Sequence, residues 1–133
     1  MDAIDKKILS FLKNDARMPF LHIAKELKMS EGAIRQRVSK MIKNSEIKRF
    51  TTEVANKTAA IIEITTSSKI PTSKIVEKMV KLGIDRIFEV TGEFSIVAMI
   101  DAESLSQLNE KVEQIRSIEG ITQTETYPVL KEL

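Results

Sequence analysis

Residues 20–43, FLHIAKELKMSEGAIRQRVSKMIK, limit the fold more than any other stretch of this chain. Leu21, Ile23, Ala24 and Leu27 give an apolar face to a short helix over Phe20–Leu27. Ile34, Val38, Met41 and Ile42 give one to a longer helix that follows. Between them Lys28-Met29 has room only for a tight turn, and Ser30 is suited to cap the second helix. Ala24 is small where the two helices must come close. Upstream, Ile4, Ile8, Phe11 and Leu12 predict a first helix from about Asp2 to Lys13, with Asp2 and Asp5 in its first turn, where they suit the helix dipole. Three short helices with a tight turn before the last form the pattern of a helix-turn-helix, whose second member enters a DNA major groove. Ile47–Phe50 reads as a short extended segment, the start of a wing or connecting strand.

Charge divides along the same line. The 133-residue chain carries a formal net charge of only +2, but residues 1–57 hold 13 basic and 7 acidic side chains, and residues 58–133 hold 8 and 12. A basic piece joined to an acidic one suggests that only the first meets a polyanion. The length suits two small domains, each marginal alone, so self-association is expected. The absence of cysteine excludes disulfides and thiolate metal sites. No apolar run approaches a membrane span, and MDAIDKKI lacks a signal-peptide pattern, so a cytoplasmic protein is expected.

Thr51–Lys57 is polar and lacks Gly and Pro, which predicts a short ordered connector over residues 51–58 between domains at 1–50 and 59–133. Beyond it the period changes. Ala59–Thr66 reads as a strand, Pro71–Leu82 as a helix through Ile75, Val76, Met79 and Val80, and Ile84–Thr91 and Phe94–Asp101 as strands of a hairpin broken at Gly92-Glu93. Ser104–Ile118 reads as a helix with Leu105, Leu108, Val112 and Ile115 on one face, and Gly120–Val129 as a last strand. The order βαββαβ is ferredoxin-like, so the whole is an α+β chain: a winged helix-turn-helix followed by a ferredoxin-like domain. Val97 and Met99 are apolar on the face opposite Ile96, Ala98 and Ile100, so both sheet faces need cover, and a second copy packed sheet to sheet is the simplest source.

On a helical wheel with Ile34 and Val38 inward, Gly32, Ala33, Gln36, Ser39, Lys40 and Lys43 point away from the core, with Arg35 and Arg37 on the flanks. Gln36 has the bidentate amide that reads adenine, and Ser30 lies at the helix start, where base edges are reached. Lys40, Lys43, Lys48 and Arg49 suit phosphates. His22, the single histidine, has no nucleophile or ligand set beside it in sequence, and there is no phosphate-cradling glycine loop and no zinc spacing. The chain therefore reads as a non-enzyme that needs neither cofactor nor metal. Thr91, Gly92, Glu93, Phe94 and Ser95, with Thr122, Thr124 and Thr126 on one face of the last strand, offer hydroxyls and turn amides that suit a small zwitterion. Threonine's preference for strands accounts for the same residues.

Over essentially its whole length the chain resembles the Lrp/AsnC, or feast/famine, transcription regulators. The N-terminal fifty residues carry the family's Asp5/Ile8/Leu9, Ala16-Arg17, Ile23-Ala24, Met29-Ser30 and Arg37-Val38 pattern. VTGEFSIVAMI and IEGITQTETYPVLKEL resemble the two motifs of its sensor domain. The resemblance implies double-stranded DNA as partner and a homodimer that commonly assembles to an octamer. It also implies an amino-acid effector bound by Thr91–Ser95 with Thr124 and Thr126 opposite. The short, lysine-rich form is most similar to archaeal members, including a lysine-responsive type, so lysine is the expected effector. Ser45-Glu46 departs from the family's usual Gly followed by an apolar residue, and Ser95 from a frequent Asp. Two other functions fit parts of the pattern: an architectural, chromatin-like DNA-binding protein, and the amino-acid-binding regulatory subunit of an enzyme.

Overall fold

The computed structural model describes residues 1–55 and 58–133 and divides into two compact units, Met1–Glu53 and Val54–Leu133. The expected connector falls partly on Asn56-Lys57, which lie outside the described residues.

The first unit contains α1 (Ala3–Asn14), α2 (Phe20–Leu27) and α3 (Glu31–Lys43). Helix α1 starts in a capping box. The Asp5 N–H donates to Asp2 Oδ1 at 2.9 Å, and the Asp2 N–H donates to Asp5 Oδ2 at 3.1 Å. Lys28 ends α2 in the left-handed region at φ +54, which turns the chain out of the helix. Ser30 then caps α3, its Oγ accepting from the Ala33 N–H at 3.1 Å. Ile8, Leu12, Ile23, Ala24, Ile34, Val38 and Met41 fill the space between the three helices.

Two expected core residues lie outside. Leu21 is half exposed because it sits about 200° around α2 from Ile23, at 100° per residue. Ile42, 48% exposed, lies on the flank of α3, about 80° from Ile34. Residues 47–50 form no strand. The N–H groups of Glu46 and Ile47 both turn back to the Met41 carbonyl, at 2.9 and 3.1 Å, so this segment closes the end of α3. Ser45, where the family favours glycine, adopts φ +59 to make that turn possible.

The second unit runs β1 (Thr58–Thr66), α4 (Thr72–Lys81), β2 (Arg86–Glu89), β3 (Ile96–Ala102), α5 (Leu105–Arg116) and β4 (Ile121–Pro128). The sheet is antiparallel with order β2-β3-β1-β4, the ferredoxin-like arrangement read from the sequence. Ala60, Ile62 and Ile64 of β1 and Ile96, Ala98 and Ile100 of β3 are buried with Ile75 and Met79 of α4 and Leu108 and Ile115 of α5. Val80 and Leu105, expected in the helices' apolar faces, are exposed. Strand β2 is half the expected length, because pairing with β3 covers only Arg86–Glu89. Register puts Phe88, Val97, Met99, Ile61 and Tyr127 together on the opposite face. Phe88, Ile61 and Tyr127 are 49, 37 and 44% exposed there. Glu63 and Glu125 pair directly across strands on that same face, and the Tyr127 hydroxyl donates to Glu63 Oε2 at 3.4 Å.

Candidate nucleic-acid interface and effector region

Aliphatic packing fixes the rotation of α3. With Ile34, Val38 and Met41 buried, Gly32, Gln36, Ser39, Lys40 and Lys43 form an exposed polar and cationic arc, and Ala33 borders it, half-buried. Ser30 and the first turn lie at the arc's leading end. Lys48 and Arg49 are exposed on the segment beyond α3, and His22 is exposed on α2 with Nε2 3.9 Å from Glu26 Oε1.

Gly32 has no conformational or packing reason to be glycine. A Cβ built there meets nothing within 4 Å, and its φ is not positive. Alanine in its place should stabilise the helix by roughly 0.5–1 kcal/mol. If the arc is pressed into a groove, the added methyl must also weaken duplex binding. Gly32→Ala is therefore expected to raise the melting temperature while lowering DNA affinity; a higher melting temperature with unchanged affinity would place Gly32 away from the contact.

Both flanking arginines have partners. On the side of α2, Arg35 Nη2 donates to Glu31 Oε1 at 2.6 Å, and its guanidinium carbon stands 5.3 Å from the Phe20 ring centroid. On the side of α1, Arg37 Nη1 donates to Asp2 Oδ2 at 2.6 Å and to Asp5 Oδ1 at 2.9 Å. Arg37, expected among the DNA contacts, is thus turned toward α1 and fastens it to α3. Helix spacing cannot reveal such a pair, since the partners lie 32 and 35 residues apart. The helical wheel does not single out Glu31 or Phe20 either, although an acid four residues before an arginine is a readable signal.

The Arg37 hydrogen bond, helped by the Asp5 N–H, lowers the Asp2 carboxyl from 3.8 to about 2. A depressed carboxyl pKa stabilises the fold above its unfolded value and loses that stabilisation as pH falls through the folded one. The first unit should therefore lose stability as pH drops from about 4 to about 2. Asp2→Asn should flatten that part of the melting-temperature profile. Superimposable profiles for the two proteins would show that the pair contributes nothing.

In the second unit, Thr91–Ser95 form the turn between β2 and β3, exposed at Thr91, Gly92 and Glu93, with Gly92 at φ +139. The Ser95 N–H donates to the Ile64 carbonyl at 3.0 Å, and Val90 N–H donates to the Ser95 carbonyl at 3.0 Å. Thr124 pairs with Ile64 and Thr126 with Ile62 on the other side of β1. The turn and Thr124 therefore stand at one end of the sheet, two strand spacings or about 10 Å apart. Thr124 and Thr126 are half-buried on the helix side, Phe94 and Ser95 are half-buried, and Thr122 is exposed with Oγ1 donating to the Thr65 carbonyl at 3.1 Å. A cleft of about 580 Å³ lies elsewhere in this unit, lined by Val54, Asp101, Glu103, Gln107 and Lys111 among others, and none of the effector candidates borders it.

Residues 1–42 match the AsnC-type helix-turn-helix domain, and residues 59–133 match the Lrp/AsnC ligand binding domain. The chain belongs to the Lrp/AsnC family. The HTH-type transcriptional regulator LysM of Sulfurisphaera tokodaii is 40% identical over 134 residues, covering 98% of this chain and 96% of that protein. LysM of Saccharolobus solfataricus is 39% identical over the same length, covering 98% of this chain and 94% of that protein. The solved structure of E. coli AsnC aligns with a TM-score of 0.77 at 26% identity, over 99% of this chain and 93% of that one. These Lrp/AsnC relatives are transcriptional regulators and not enzymes, and the family's helix-turn-helix makes DNA the partner of the first unit. Among the described residues no helix is long and apolar enough to cross a membrane.

Proposed function

We propose that this Lrp/AsnC protein is a cytoplasmic, sequence-specific transcription regulator that reads duplex DNA with α3 and senses an amino acid with its second unit. The observation that carries this reading is the exposed arc of Gly32, Gln36, Ser39, Lys40 and Lys43 on a helix whose other side is sealed by Ile34, Val38 and Met41. Gln36, Ser30, Ala33 and Arg35 are assigned to base edges, and Lys40, Lys43 and Arg49 to phosphates. A homodimer closing over the partly apolar sheet face, assembling further to an octamer, would repeat the helix on neighbouring turns of DNA, roughly 34 Å apart. The effector region assigned is Thr91–Ser95 with Thr122, Thr124 and Thr126, completed by a neighbouring subunit. Lysine is the first choice of ligand, supported by the name of the LysM relatives.

Two measurements test the reading. Footprinting should give discrete protected sites; continuous coverage would favour an architectural protein. A thermal-shift panel of all amino acids should show a selective rise for one, lysine first. A flat panel would remove the sensing role.

A further inference from the structure

The acidic side chain at the head of α3 is unexpected on a helix proposed to approach phosphates. Glu31 is exposed in the first turn, and it holds Arg35 through a 2.6 Å ion pair. Arg35 also stacks over Phe20 of α2, with its guanidinium carbon 5.3 Å from the ring centroid. Both charged side chains are exposed, 43% for Glu31 and 61% for Arg35, and an exposed pair four residues apart adds little to stability. Its effect has to be sought in what it does to the surface of the helix.

We infer that Glu31 is a specificity-determining residue of the DNA-reading helix. It acts in two ways. Its carboxylate opposes every phosphate brought near the helix start, which lowers affinity for all duplexes irrespective of sequence. At a matching base it accepts a hydrogen bond, as from the cytosine amino group, and on a mismatched base it faces another acceptor. At the same time it fixes Arg35 between itself and the Phe20 ring, so the guanidinium meets the groove in one orientation instead of sampling many. The phosphate repulsion acts on every duplex alike, and discrimination rises because only the matching sequence offsets it with the hydrogen bond to Glu31 and the fit to Arg35. The inference rests on the proposal that α3 enters the groove.

The test uses the full chain and two probes: a duplex selected by the native protein from a random library, and a random duplex of equal length. Glu31→Gln should bind the random duplex more tightly, and the ratio of the two affinities should fall by about tenfold. Arg35→Lys keeps the charge but loses the fork and the stacking, so it should lower the ratio without tightening random binding. Unchanged ratios in a native protein that binds duplex DNA would overturn the role of Glu31 alone. Failure of the native protein to bind any duplex at low salt would overturn the reading of α3, and this inference with it. Because Glu31 is exposed, unchanged melting curves are expected for Glu31→Gln.

Discussion

Ile34→Ala is expected to melt the first unit and abolish DNA binding while the second unit keeps its own unfolding transition. Ile34 is completely buried between the three helices, one of seven buried side chains at the centre of the unit's core. Truncating a buried isoleucine to alanine costs about 2–5 kcal/mol, the spread reflecting how far the site can collapse. A unit of this size has only about 3–8 kcal/mol to lose, at the usual stability per residue. Most or all of it would disappear. The second unit has a separate core of Ile62, Ile64, Ile96, Ile115 and others, which does not include Ile34. Calorimetry together with far-ultraviolet circular dichroism should resolve a lowered first transition and an unmoved second one. A single transition displaced as a whole would mean that the two units unfold together.

The Ser30 cap, the inward set of Ile34, Val38 and Met41, and the strand order of the second unit all follow from spacing along the chain, and they appear as read. Leu21 and Ile42 are apolar without being core, because the residue type alone does not show that Leu21 lies opposite the buried stripe of α2 and Ile42 on the flank of that of α3. The tie of Arg37 to Asp2 and Asp5 joins elements distant in sequence, and no periodicity encodes it. The closing turn at Ser45–Ile47 replaced an expected extended segment, because backbone groups at the end of α3 needed partners more than Lys48-Arg49 could support a strand. Residues governed by local rules were readable, and those governed by contacts through space were not.

Val97→Glu should convert the proposed homodimer to a monomer without unfolding the second unit. Val97 lies between Glu63 on β1 and Phe88 on β2 in the strand register, on the face away from the buried Ile96, Ala98 and Ile100. Its replacement leaves the helix-covered core untouched. A carboxylate there would join Glu63 and Glu125, and two such faces would meet with like charges in a drying interface. Like-charge juxtaposition of this kind costs several kcal/mol, so dimer association should weaken by about a hundredfold or more in affinity. Sedimentation velocity over a concentration series would detect it. A variant that sediments like the native assembly would move the dimer contact off this face.

Salt dependence gives the most direct test of the central claim, that the outer arc of α3 faces phosphates. The slope of log affinity against log salt counts the phosphate contacts, at about 0.9 per contact on duplex DNA. With Lys40→Ala and Lys43→Ala combined, the slope for each recognition helix should become shallower by about 1.8, on selected and random duplexes alike. An unaltered slope in a folded double variant would mean that this side of the helix does not meet DNA.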